Sequence, residues 1–338
     1  MDFDEIMQKI TQGLTGDSAQ DIPYLKAQME EYREHEMGKE IVRACSRLLV
    51  KMLPEDKKAE LDNLFRNREL GIESALEEAN FNIFKKKYDT ALMIVERMVH
   101  TIEKEKLFAD DSVSEFHAFR EPFEAILYDY FTKPKRKLRR ANEPYDEVYL
   151  TYGSLLFELK RYDEAAAALD KALRWNPVSA SAMFERAEVF KVRGDMEGFF
   201  RQTKEALRFA FRTADVARCY RNIAFYFVEK KLLNEALGCL ELSMLFDSSA
   251  PTAQSEMYYI QQLSKGTAAA PEMAVMERVA KKYGFSLGPS EELLQLCFSL
   301  GKYHYDRKEW EDARYFLSIV DALLNDAEVK KMIDRCGN

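Results

Sequence analysis

Four histidines, five cysteines and one dense basic run are the residues whose types could carry chemistry, and their spacing argues against most of it. His35, His100, His117 and His304 are scattered, and none has a second ligand at a spacing that would converge on a metal. His35 stands four residues after Glu31 and four before Lys39, the pattern of a solvated helix face. Cys45, Cys219, Cys239, Cys297 and Cys336 are odd in number and form no C-x-x-C pair. Four of them fall on apolar helical stripes, which predicts small buried hydrophobes in a reducing cytoplasm, and Cys336, third from the end, is not placed for prenylation. The chain also lacks G-x-G-x-x-G, G-x-x-x-x-G-K-[ST], G-x-S-x-G, H-E-x-x-H and any calcium loop, so neither phosphate cradling, nucleophilic catalysis nor zinc hydrolysis has its residues. The expectation is a protein that is not an enzyme, with no catalytic residues, no metal and no cofactor.

The basic run is Lys-Pro-Lys-Arg-Lys-Leu-Arg-Arg, from Lys133 to Arg140. It reads as an exposed loop between helices, its cations near the preceding helix's C-terminal end, where positive charge is favoured. The alternative is a nuclear-localisation-like or anion-binding patch serving a ribonucleoprotein or nuclear adaptor. Against 50 Lys and Arg stand 58 Asp and Glu, a net charge of −8, which counts against nucleic acid as a partner. The acidic start, Met-Asp-Phe-Asp-Glu, lacks the basic and apolar segments of a signal peptide, and no apolar run reaches the roughly 20 residues of a membrane span. The expected location is the cytoplasm, with no membrane partner.

The elements that must position these residues repeat. Tyr88-Asp-Thr-Ala91, Tyr162-Asp-Glu-Ala165, Leu233-Asn-Glu-Ala236 and Trp310-Glu-Asp-Ala313 each open an apolar helical stripe, and their alanines stand 74, 71 and 77 residues apart. Each step is two periods of about 34 residues plus a few extra, so one degenerate unit lies between each obvious pair. The best unit, Asp146 to Ser179, carries Tyr149, Tyr152, Gly153 and Leu156, then Ala165, Leu169, Ala172 and Asn176-Pro177. This resembles the tetratricopeptide repeat, a helix-turn-helix of 34 residues. Ala224, Ala236 and Leu240 repeat it, as do Gly301, Ala313 and Leu317, and the earliest copy has Asn82 where an aromatic is usual. Gly153 and Ala165 are expected at a close approach of two helices. The whole-chain pattern resembles bacterial members of the family, a likeness that supplies no activity.

The resemblance implies an all-α, tetratricopeptide-like solenoid of six or seven helix pairs over residues 71–338; residues 1–70 read as an N-terminal helical cap, with an independent small domain as the alternative. Each unit should contact only its neighbours. Between the clear units, residues 181–211 and 252–284 read as degenerate copies, and residues 112–132 as a helical stripe of Phe116, Phe119, Phe123, Ile126 and Leu127 interrupted by Pro122. Near the N-terminus, Asp21-Ile-Pro23 reads as a helix start.

In this family the first helix of each unit lines a concave surface. Setting aside the packing positions leaves Leu150, Ser154, Phe157 and Glu158, then Phe184, Glu188 and Lys191, then Arg218, Arg221, Asn222, Phe225 and Val228. Arginine with aromatics is the composition of binding hot spots, and two arginines suit an acidic partner; a competing reading has Arg218 and Arg221 paired with Glu185 and Glu188 of the neighbouring helix. The expected function is a non-enzymatic scaffold or adaptor that binds a protein or peptide on this face, with a peptide-sensing regulator as alternative. Some members grip a chaperone's terminal carboxylate with lysine, asparagine and arginine over three units. Leu150, Ser154 and Glu185 stand where those residues would be, and only Arg218 is compatible.

Overall fold

The computed structural model describes residues 3–33, 35, 37–52, 71–106 and 108–337, and the chain forms two units, Met1–Ile94 and Val95–Asn338. The first unit holds α1 (Phe3–Gln12), α2 (Ser18–Glu31), α3 (Gly38–Met52), α4 (Ile72–Phe84) and the start of α5 (Tyr88–Glu105). Ile6, Ile10, Leu25, Ile41 and Cys45 form its core, the apolar stripes that helical spacing predicts. The Asp21-Ile-Pro23 start signal is corrected: α2 begins earlier, capped by Asp17, which accepts from the Ala19 N–H, and Pro23 lies inside the helix. Asp21 instead turns back, buried, and its carboxylate accepts from the N–H groups of Thr15 and Gly16 at 2.8 and 2.9 Å. In the sequence, Ile41, Val42, Cys45, Leu48, Leu49 and Met52 read as an amphipathic helix stopping before Pro54, and that stop lies outside the described residues.

The second unit continues with β1 (Ser114–His117), α6 (Pro122–Thr132) and β2 (Lys137–Arg140), then five helix pairs and a final helix. The pairs are α7/α8 (Tyr145–Glu158, Tyr162–Trp175), α9/α10 (Ala180–Val192, Met196–Phe209), α11/α12 (Thr213–Glu229, Leu233–Phe246), α13/α14 (Pro251–Leu263, Met273–Tyr283) and α15/α16 (Glu291–Asp306, Trp310–Leu324), followed by α17 (Ala327–Arg335). With α4/α5, this makes six pairs among the described residues, and the fold is all-α apart from one two-stranded sheet.

One turn recurs in all six pairs. The N–H groups of Lys87, Arg161, Asp195, Leu232, Gly266 and Glu309 each donate to the carbonyl five residues back, at 2.8–3.0 Å. The residue before each, Lys86, Lys160, Gly194, Lys231, Lys265 or Lys308, has φ between 52° and 74°. This is the bond that closes a helix through a left-handed residue. Glycine takes that conformation freely, whereas a lysine loses about 1–2 kcal/mol, offset in part by its charge beside the helix's C-terminal carbonyls. The turns at Arg161 and Asp195, and those at Leu232 and Gly266, are 34 residues apart, so the units at 180–209 and 251–283 are full copies despite their weak sequence pattern.

Within the pairs the close approach holds. A Cβ built on Gly153 would lie 2.6 Å from Leu169 Cγ, and one on Gly301 would lie 2.8 Å from Leu317. Ala165, Ala236 and Ala313 are all fully buried.

Three expectations are overturned. Residues 112–132 are not one helical stripe: Ser114–His117 is a strand, and Pro122 opens α6 at its first turn, where a missing N–H costs nothing. The basic run is not simply a loop, because Lys137–Arg140 pairs in parallel with β1, Ser114 opposite Lys137. Nor do units contact only their neighbours. Lys204 of α10 donates to the Tyr283 carbonyl of α14 at 3.0 Å. The Tyr220 hydroxyl bonds the Ser286 and Gly288 carbonyls beyond α14, and Phe123 of α6 packs edge-on against both Phe211 and Phe316. Glu121, just before α6, accepts from Arg212 and from the Tyr315 hydroxyl. The last pair therefore folds back onto α6, and one apolar core runs from Phe119 to Val329.

Candidate protein-binding face

The face expected from sequence is spread over α7, α9 and α11, and the structure brings only part of it together. Phe184 is 1% exposed and lies beneath Arg218, whose guanidinium sits 4.5 Å from the ring centroid. Arg218 also meets Glu185 at 3.3 Å. Phe225 is half-buried and carries Lys191 at 4.2 Å from its ring, while Lys191 reaches Glu188 at 3.4 Å. Phe184, Glu188, Lys191, Arg218 and Phe225 therefore form two adjoining cation–aromatic stacks on α9 and α11.

Arg221 lies on the same helix but turns towards α12, donating to Ser243 Oγ at 3.2 Å with Asp247 at 3.8 Å. Of the expected pairings, Arg218 with Glu185 is present, whereas Arg221 chooses Ser243 and Asp247 and leaves Glu188 to Lys191. Asn222 is buried, its Nδ2 3.5 Å from Thr203 Oγ1 of α10, so it joins two helices rather than facing outwards. Leu150 and Phe157 are half-buried on α7, and the Phe157 ring packs against Tyr162 at 5.4 Å.

Sequence reasoning missed Glu256 on α13. Burial raises its carboxyl pKa, opposed by the charges of Arg221 and Lys191, which places an acidic group against the two cations. The only sequence signal was its position in the degenerate fifth unit. A second omission is the polar cluster around β1. Tyr128 donates to the buried Glu115 at 3.0 Å, Arg136 reaches Glu115 and Asp110, and Arg174 reaches Asp110 and the Phe116 carbonyl. Burial, with Glu115 adding to it, pushes the Tyr128 hydroxyl up to about 12. His117 beside it is buried and its pKa lowered for the same first reason, with Glu115 opposing. This cluster ties the strand insertion to α8 through Arg174. All five cysteines are free and buried, and burial raises the thiol pKa of each, that of Cys45 to about 11. His304 stacks on Phe316 and bonds Glu309 at 2.6 Å. Among the described residues no helix is long and apolar enough to cross a membrane.

The helix pair α7/α8 fills the 34-residue window 146–179, and that window matches the family model described as Tetratricopeptide repeat. Residues 146–179 are thus similar to a single tetratricopeptide repeat. A tetratricopeptide array is an interaction scaffold in general terms, because stacked helix pairs present an extended side-chain surface. No curated protein matches the chain in sequence. Similar solved structures include YrrB, described as a TPR protein with an unusual peptide-binding site, at 13% identity over 63% of this chain and 97% of that one, with a TM-score of 0.30. Another is TTC0263, a thermophilic TPR protein of Thermus thermophilus, at 15% identity over 57% and 100% of the two chains, with a TM-score of 0.33. The APC/C hetero-tetramer Cut9–Hcn1 aligns with 98% of this chain and 60% of that one, at 13% identity and a TM-score of 0.34. The likeness to the repeat rests on the matched window, and the same turn closes the other five pairs.

Proposed function

We propose that the α9/α11/α13 face binds a segment of another protein and that the chain acts as a non-enzymatic scaffold or adaptor. One observation carries the reading: Arg218 is 36% exposed over a buried aromatic and commits a single contact to Glu185. A guanidinium has five donors, so a carboxylate can be taken in bidentate fashion without unmaking the fold. Phe225 and Lys191 lie on the same two helices and supply apolar area and a second cation. The occupant is an extended or helical segment carrying acidic residues, and the chain works in the cytoplasm. The division into a cap, residues 1–70, and a solenoid, 71–338, belongs to the same reading, since an array end needs a polar outer face.

The test is recovery of partners from native cell extract, followed by affinity measurements on the strongest. Arg218→Ala and Phe225→Ala should each lower affinity at least tenfold with helicity unchanged, and binding should weaken with rising salt. Lys135→Ser with Lys137→Ser should leave it nearly unchanged. The reverse ranking would overturn the assignment and move the interaction to the basic strand.

A further inference from the structure

The small sheet has two edges, and the protein treats them differently. The outer edge of β1 is fully used. The Phe116 N–H donates to Asp110 at 3.0 Å, the Phe116 carbonyl accepts from Arg174 at 3.0 Å, and Ala118 N–H donates to the Trp175 carbonyl at 2.9 Å. The Ser114 carbonyl takes the Asp111 N–H at 3.0 Å.

On β2, Lys137 N–H donates to Val113 and Ala141 N–H to His117, both at 2.8 Å. Main-chain groups alternate sides along a strand, so residues 137, 139 and 141 face β1, and the N–H and carbonyl of Leu138 and Arg140 face away. Among the described residues those outward groups have no partner, and the sheet stops at two strands. Unpaired main-chain groups in a row are a template for another strand.

The side chains select what can use it. Lys135, Lys137 and Arg140 are exposed and without an ion-pair partner among the described residues, whereas Arg136 is engaged by Asp110 and Glu115 and Arg139 lies over Phe116. Leu138 packs against the core and fixes the strand's register. A second copy of β2 would set like charges opposite each other, which is unfavourable. An acidic segment meets Lys137 on one face of the strand and Arg140 on the other.

We propose that the free edge of β2 is a second protein-binding site, which takes an extended acidic segment of a partner as a third strand. Main-chain bonds to Leu138 and Arg140 would give affinity, and Lys135, Lys137 and Arg140 would give selectivity. The proposal is independent of the α9/α11/α13 face. A nucleic acid would satisfy the charges but not the alternating donors and acceptors.

The probe is a fluorescein-labelled peptide of alternating Glu and Val, titrated by anisotropy against the full chain. Two analogues are N-methylated on alternate residues, one on the glutamates and one on the valines, so that each loses its donors along one edge only. The parent should bind, one analogue should lose at least tenfold and the other should keep most of the affinity. Lys137→Ser with Arg140→Ser should cost at least fivefold, and Arg218→Ala should cost nothing. Equal binding of both analogues and the parent would reduce the site to charge attraction and overturn the proposal, as would no binding of the parent. Tighter binding of an oligouridylate that displaces the peptide would overturn it in favour of nucleic acid.

Discussion

At the scale of single residues, two opposed terms decide what Gly153 tolerates. Replacing glycine by alanine inside a helix gains about 1 kcal/mol of propensity, but the new methyl would sit 2.6 Å from Leu169 Cγ and 3.4 Å from the Ala165 carbonyl, an overpacking that costs about 1–3 kcal/mol. Gly153→Ala should therefore be neutral to mildly destabilising and Gly153→Leu clearly destabilising in chemical denaturation; a Leu variant as stable as the parent would put the helix contact elsewhere. The left-handed turn residues invert this logic. Lys160, at φ 60°, should gain up to about 1 kcal/mol on replacement by glycine, and Gly194, at φ 74° with open space around it, should lose about 1 kcal/mol on replacement by alanine. Asp146 sets a pH dependence. It is buried and its pKa is raised by burial, against the charge of Arg120 at 2.9 Å and the Asn176 amide. A carboxyl with a folded pKa above its ordinary 3.8 binds more protons folded than unfolded, so its contribution is greatest at acid pH and declines as pH rises through the folded value. Asp146→Asn should remove that decline from a plot of stability against pH; an unchanged slope would show the carboxyl to be unperturbed.

At the scale of elements, the β1–α6–β2 insertion is held by charge and by core aromatics together. Arg136 and Arg174 converge on Asp110, and Arg136 also satisfies the buried Glu115. Removing one partner of a mostly buried ion pair costs far more than the pair contributes, because the other charge is stranded. Arg136→Ala should therefore lower thermal stability and raise hydrogen exchange in β1 and β2, whereas Lys135→Ala, just before the strand and exposed, should change neither. Equal behaviour of the two variants would mean the basic run acts as a single solvated patch. The helix pairs are local constructions by comparison. Each closes through its own turn bond, and their apolar faces follow helical spacing.

At the scale of the whole second unit, the fold-back of α15/α16 onto α6 departs from a one-dimensional array. In a chain of nearest-neighbour units, mutations in α6 and α16 would be independent. Here Phe123 and Phe316 have ring centroids 5.6 Å apart at 73°, a geometry that contributes about 0.5–1.5 kcal/mol beyond area burial. A double-mutant cycle of Phe123→Ala and Phe316→Ala should show a coupling of that size, and strict additivity would remove the contact from the solution structure. The consequence for function is that the α9/α11 face sits in a unit whose two ends are packed together. It should be presented rigidly, with little reshaping on binding the segment proposed for it.

The repeat was legible in the sequence because it is local. A bulky residue opening the second helix, a small residue at its first inward position and a leucine one turn on set Ala165 and Leu169 against Gly153 and Leu317 against Gly301 wherever the chain goes next, and a 34-residue period exposes the series. The groove was half legible, since helical spacing places Arg218, Arg221 and Phe225 on α11 together. It cannot say which way a long side chain leans: Arg221 turned to Ser243 and Asp247 on the next helix, and Asn222 was drawn inwards by Thr203. Only the tertiary structure decided the rest. The strand at 137–140 exists because β1 and the acids Asp110 and Glu115 lie beside it, and the last pair returned to Phe123 because the segment 283–288 packs on Tyr220 and Phe227. Both are contacts between residues far apart in sequence, and periodicity carries no information about those.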